Sequence, residues 1–262
     1  LVENDPSDMN NQYALSCAYS SFADIKSLQG DDKISLNLYN SAVEIMERII
    51  KVDPNNLVWE SDVCSMYNRI GGIYLRHGQP DIALESYLSG MSIIKKLSEI
   101  DHSNTRWRHQ LCISYDRIGD VYREKKNYDA ALDSYESCLQ IRKDLEKVDS
   151  LNFIWQHDLA VTYNKIGVIQ QSLGKLTLSE DAYDFSITLL SRLADSDASN
   201  SIWKDELAVS YNLRGDLEKT RDNFGAAIYF YESSLKLREK LVSFDSTNAD
   251  WQYSLGLIYS NI

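Results

Sequence analysis

Proline and glycine are both scarce in this sequence, with 3 and 11 residues in 262. So few turn formers exclude a sandwich or barrel of many short strands and favour long helices. Positive charge is also short, 27 Lys and Arg standing against 39 Asp and Glu. The resulting net charge of −12 excludes the basic field that a phosphate backbone needs, so no nucleic-acid partner is expected. Nowhere does the chain approach the run of about 18 apolar residues that would span a bilayer, and no membrane partner is expected. The four cysteines show no framework spacing. Cys64 and Cys112 share a phase that elsewhere holds Ser16, Ala160, Ala208 and Gly256, which marks a small buried slot. Such thiols suit a reducing compartment, and a cytoplasmic location is the expectation. HExxH, GxSxG, phosphate-binding glycine loops and a Cys/His nucleophile pair are all missing. His109 and His157 share a phase without a partner at metal-ligand spacing and are expected on an exposed rim. No catalytic residue, metal ligand or cofactor is assigned.

What the sequence does have is a ruler. Trp59, Trp107, Trp155, Trp203 and Trp251 follow one another at intervals of 48 residues. Four equal intervals mean a tandem repeat, whose units bury their apolar faces against their neighbours. Other landmarks keep the register: Gly71, Gly119, Gly167 and Gly215; Tyr87, Tyr135, Tyr183 and Tyr231; Leu97, Leu145, Leu193 and Leu241. A fainter copy comes first, with Asn11 in the tryptophan position and Tyr19, Ala23 and Tyr39 in step. Units are thus expected at 11–58, 59–106, 107–154, 155–202 and 203–250, with partial units at 1–10 and 251–262 in one array over 1–262. Leu1 and Asp5 match the tail of an earlier unit, and the last copy stops inside its first helix, so an excerpt from a longer array is expected.

Each unit reads as two helices. Trp59, Val63, Tyr67, Ile70 and Tyr74 recur at the spacing of one helical face, ending near Arg76 and, in later copies, Glu124, Ser172 and Thr220. A second helix is expected from about Asp81 to Ile100, after breaks at 77–80, 125–128, 173–176 and 221–224. Each linker reads Asp-x-x-Asn, as in Asp101 and Asn104; the asparagine is suited to cap the next helix, and the oxygens are too few for calcium. Each tryptophan then stands three residues past the cap, on the apolar stripe, as a wedge between repeats.

The strings IGGIYLRHGQPDIALESYLSGM (70–91) and IGDVYREKKNYDAALDSYESCL (118–139) resemble the tetratricopeptide repeat. The resemblance rests on Gly71, Tyr74, Ala83, Tyr87 and Gly90 and recurs along the chain. That family's unit is about 34 residues; the longer period here adds about two turns to each helix. The pattern is similar to the long-helix variants found in kinesin light chain and in bacterial peptide-sensing regulators. It implies an all-α, right-handed superhelical solenoid of antiparallel helix pairs. Two copies depart from it: Gln170, Ser179 and Glu180 replace Tyr, Ala and Leu, and Arg214 replaces Ile. Looser packing or a different partner is the expectation there.

The resemblance also points to a site. Arrays of this kind bind partners in the groove lined by the first helices, and the long-helix relatives clamp an extended peptide with an asparagine ladder. Here the matching positions are Asn68, Asp116, Asn164 and Asn212, followed by Arg69, Arg117 and Lys165. An amide both donates and accepts, so it pairs with any peptide bond. Arginine suits a carboxylate, although an i,i+3 pair such as Arg117–Asp120 competes for it. The leading functional expectation is a non-catalytic protein–protein interaction scaffold with a protein or peptide ligand in this groove. A sensor or regulatory module of a longer multidomain protein is the alternative, and a self-assembling solenoid, with possible self-association, is a third.

Overall fold

The computed structural model describes residues 8–261. Among the described residues there are eleven α-helices and no strand. They are α1 Met9–Leu28, α2 Asp32–Val52, α3 Leu57–Arg76, α4 Pro80–Ile100, α5 Thr105–Glu124, α6 Tyr128–Val148, α7 Phe153–Ser172, α8 Leu176–Ser196, α9 Ser201–Thr220, α10 Phe224–Phe244 and α11 Ala249–Asn261. First helices end at the residues read from the repeat. The second begins one residue early, at Pro80, whose missing N–H costs nothing in the first turn. The faint first copy is a complete pair, α1 and α2. Leu1 and Asp5 lie outside the described residues.

Local chemistry sets the helix ends. The side chains of Asn104, Asn152, Asn200 and Asn248 accept the backbone N–H of Trp107, Trp155, Trp203 and Trp251 at 3.1–3.2 Å. Asp8 does the same for α1, accepting from Asn11 at 3.4 Å. Asn56 is the exception and makes no side-chain cap bond. At the other end, Gly30, Gly78, Lys126, Gly174 and Asp222 all have positive φ. The following amide then reaches back to the last turn, as in Gln79 N–H to the Tyr74 carbonyl at 3.0 Å. This is the Schellman closure, which glycine adopts without strain and which Lys126 (φ 57°) and Asp222 (φ 58°) adopt against their preference.

The helices form two compact units, Leu1–Asn127 and Tyr128–Ile262. In the first, α1 packs on α2, α2 on α3, α3 on α4, and α4 on α5, with α3 also touching α5. In the second, α6 packs on α7 and each later helix on the next, with α7 also touching α9. Trp59 is buried in a cluster with Tyr39, Val43, Met46 and Ile49 of the preceding pair, so it is the wedge expected of it. The later tryptophans are only half-buried: Trp203 leans on Ala160, Leu190 and Leu193 and meets Phe153 edge-on at 5.7 Å.

The deepest side chains are the five tyrosines Tyr39, Tyr87, Tyr135, Tyr183 and Tyr231, none more than 1% exposed. Tyr87 and Tyr231 lie against Gly71 and Gly215, where a Cβ would stand 2.6 Å from the ring in each case. Of the departures in the third and fourth tryptophan-led copies, Ser179, Glu180 and Arg214 find partners, whereas Gln170 is buried with its side-chain carbonyl oxygen unpartnered. Ser179 donates to the Gly167 carbonyl at 2.8 Å across its helix pair. Arg214 is 6% exposed and bonds Glu180, Asp184 and Glu218. Glu180 and Arg214 each replace an apolar residue of the pattern, and the two replacements meet as an ion pair between α8 and α9.

Candidate functional site

Within Leu1–Asn127 the first helices α1, α3 and α5 line a cleft of about 890 Å³, with Tyr39 and Tyr87 contributed by the second helices. Stacking one pair on the next puts one face of each first helix on this cleft. The residues one turn apart on α3, Asn68, Arg69, Gly72 and Arg76, therefore share it with Arg117 of α5.

Three arginines in a chain of net negative charge make this cleft locally basic, but they are not equivalent. Arg69 bonds the Asp24 carboxylate, which also accepts the Tyr39 hydroxyl at 2.5 Å. Burial and that bond to Asp24 push the Tyr39 hydroxyl well above its ordinary value. Arg76 donates to Asp32 at 2.8 Å and to Ser27 at 2.7 Å. Burial raises the Asp32 carboxyl, but the bonds from Ser27, Arg76 and His77 outweigh it and hold the group below the usual carboxylate value. Among the described residues Arg117 has no ion pair, neither with Asp120 nor with any other carboxylate; Asp120 lies 3.9 Å from Arg123 instead. All three arginines are exposed, and Arg117 differs in having no carboxylate partner among the described residues.

The asparagine positions divide. Asn68 lies on the cleft, and its amide nitrogen reaches Ser114 of α5 at 3.4 Å, while its carbonyl oxygen is buried without a partner. Asn164 is 5% exposed and donates to Ser210 of α9 at 2.7 Å, again leaving its carbonyl oxygen without a partner. Both thus clasp the next first helix, a role the sequence pattern alone does not reveal. Asp116 is buried at 9% exposure, and Asn212 donates to Asp216 on its own helix at 3.3 Å. Lys165 lies over the Tyr135 ring, 5.5 Å from its centre. The cleft accordingly unites Asn68, Arg69 and Arg117; Asp116 is not on its lining, and Asn164, Lys165 and Asn212 belong to the other unit.

Two cleft residues escaped the sequence reading. Tyr87 reads as core, and it is, yet its fully buried hydroxyl has no hydrogen-bond partner. Gly72 stands in the register of Asp24, Asp120 and Asp216, and the missing carboxylate there was the available signal. His109 and His157 are half-buried rather than exposed, and His157 lies 3.6 Å from Asp158. The buried Cys64 thiol is pushed up to about 11 by desolvation, an inert packing group. Among the described residues no group of three or more His, Cys, Asp or Glu could hold a metal ion, and no helix is long and apolar enough to cross a membrane.

Comparison with known proteins shows what this fold is similar to. Residues 62–144 match the tetratricopeptide repeat. Curated protein sequences gave no match. Among solved structures, BtubC (BKLC) from P. vanneervenii is similar with a TM-score of 0.70 at 16% identity, covering 92% of this chain and 85% of that one. The apo form of RapI follows with a TM-score of 0.66 at 11% identity, covering 93% and 77%. PilF from Pseudomonas aeruginosa has a TM-score of 0.50 at 16% identity, covering 94% and 91%. Identities this low establish shared fold and nothing finer. Residues 62–144 are thus similar to the tetratricopeptide repeat, and the chain that carries them shares an all-helical repeat fold with these solved structures.

Proposed function

We propose that this protein is a non-catalytic interaction scaffold that takes a peptide or protein segment into the cleft formed by α1, α3 and α5. The observation that carries this reading is the cleft itself: about 890 Å³, lined by first helices, with Asn68 on its lining and the exposed Arg117 without an ion pair among the described residues. An extended chain needs acceptors and donors for its peptide groups along its whole length, and a helix face supplies them at regular intervals. Arg117 adds a planar donor fork suited to carboxylates. Asn164 and Asn212 act as inter-helix and intra-helix clasps in this reading, so the ladder expected from the resemblance shrinks to Asn68 in the cleft.

The test is peptide display against the purified chain, followed by calorimetry of the selected peptides on variants. Asn68→Ala combined with Arg117→Ala should weaken binding by about 2–4 kcal/mol, two hydrogen-bonding anchors being lost, with helicity unchanged by circular dichroism. Undiminished affinity in that double variant would remove the cleft assignment.

A further inference from the structure

Second helices in this array end on a residue that the repeat leaves outside the core. Val52, Ile100, Val148 and Phe244 hold that place, each apolar and each exposed, and Ser196 is the exception. The exposure of Phe244 is therefore a property of the register, shared with copies in the middle of the chain. Within Tyr128–Ile262 the linkers add to it, with Leu151 and Ile154 after α6 and Ile202 after α8. Leu151 is 78% exposed, Ile202 64% and Phe244 80%.

These side chains form one row along the linker edge. Phe153, next to Ile154, meets the ring of Trp203, next to Ile202, at 5.7 Å, so the first two linkers lie side by side. Ser199 and Ser201 of the second linker share a cavity of about 300 Å³ with Lys240 and Phe244 at the end of α10. Large apolar side chains exposed together, rather than scattered singly, mark an interaction surface.

Charge says what covers it. Asp149, on the first linker, is exposed and bonds only the Leu151 backbone N–H, with no ion pair among the described residues. Lys240, at the other end of the row, is likewise exposed and without an ion pair among the described residues. The other linker aspartates, Asp197 and Asp245, each hold a hydroxyl of their own turn, and Lys147 is taken by Asp144. The row thus carries a spare anion at one end, a spare cation at the other and Ile202 between them. A partner of one charge is repelled at one end. A second copy of the row, turned end for end, matches at both. A patch that pairs with itself about a two-fold axis is the commonest basis of soluble assembly.

We infer that this edge is a homodimer interface. Two copies lie edge to edge about a two-fold axis at Ile202, with Leu151 and Ile154 of one against Phe244 of the other. Asp149 then pairs with Lys240 at both ends, and the cavity beside Phe244 comes opposite Ile154 of the second copy. The inference does not rest on the peptide-binding reading, since the edge uses linkers and helix ends and none of the cleft residues.

The experiment is sedimentation velocity of the whole chain from about 1 µM to about 1 mM, with circular dichroism confirming the fold of every variant. A reversible monomer–dimer equilibrium is expected, with a midpoint at about 10–100 µM for so small an interface. Ile202→Asp sets like charges face to face on the axis and should weaken the dimer about a hundredfold. Ile100→Asp, an exposed apolar residue of the other unit, should leave it unchanged. Lys240→Glu or Asp149→Lys alone should weaken it about tenfold, and the two combined should restore it, because each reversed charge again meets its opposite. A monomer throughout the range overturns the interface, as does growth beyond the dimer or a dimer indifferent to Ile202→Asp. Equal losses from Ile100→Asp and Ile202→Asp, or a combined charge reversal that restores nothing, overturn it too.

Discussion

Tyr87 packs its ring directly on the backbone of Gly71, so closely that a Cβ there would stand 2.6 Å from Cε1 and 2.8 Å from Cδ1. Gly215 and Tyr231 repeat the contact in the second unit. In the first pair Ala23 stands in the glycine's place and is buried in one cluster with Tyr39, so that pair accommodates one methyl.

From this contact follows the first prediction. Gly215→Ala forces its methyl into a tyrosine that is 1% exposed and has nowhere to swing. Overpacking costs about 1–3 kcal/mol, against a helix-propensity gain of about 1 kcal/mol. Urea unfolding should show a net loss of stability, and a larger one for Gly215→Val. A rise in the midpoint for both would contradict the close packing.

The tryptophans should be unequal in stability. Trp59→Ala opens a cavity in a closed cluster and should cost about 3–5 kcal/mol. The half-buried Trp203 should cost distinctly less on the same substitution. Denaturant midpoints of the two variants decide this; equal losses would mean that the wedges are equivalent after all.

The ion cluster between α8 and α9 makes a paired prediction. Arg214→Ile restores the apolar residue of the repeat but takes one cation from Glu180, Asp184 and the buried Glu218, leaving Arg221 to both glutamates, and should cost about 1–3 kcal/mol. Adding Glu180→Leu should recover part of that loss, because an apolar pair replaces a buried ion pair at little net cost. Glu218 keeps Arg221 and Asn223 in the double variant. A double-mutant cycle with no coupling would separate the two replacements.

Acid sensitivity has a definite sign. Hydrogen bonds from Ser103, Ser199 and Thr247 hold the linker carboxyls of Asp101, Asp197 and Asp245 below their ordinary value. A lowered folded-state pKa gives stability that is present above the unfolded value, near 4, and is lost as pH falls through the folded one. Changing all three to Asn keeps an oxygen acceptor in each turn and should flatten the stability profile below about pH 4. An unchanged slope would place the acid-labile groups elsewhere.

Much of the fold was legible because the repeat samples each position several times. Helix ends at Arg76, Glu124, Ser172 and Thr220, the capping asparagines and the buried Cys64 slot all follow from local rules applied in register. What one register cannot show is how neighbouring copies compensate. Glu180 and Arg214 look like two separate defects 34 residues apart, and only packing α8 on α9 joins them. The asparagine positions mislead for a related reason: polarity off the apolar stripe suggests a solvated face, whereas the next first helix covers Asn164 and turns its amide inward to Ser210. Gly72 carried its signal in plain view, as one of two copies, with Val168, in which a column of aspartates loses its carboxylate. Reading it required knowing that the column meets the buried tyrosines.

The most direct test of the proposed interaction role is a shift-perturbation map of the labelled chain titrated with a peptide obtained by display. The reading predicts that the largest shifts fall on Asn68, Gly72 and Arg117 and on the faces of α1, α3 and α5 that line the cleft. Shifts confined to α2 and α4, or to the chain ends, with those three residues unmoved, would contradict it.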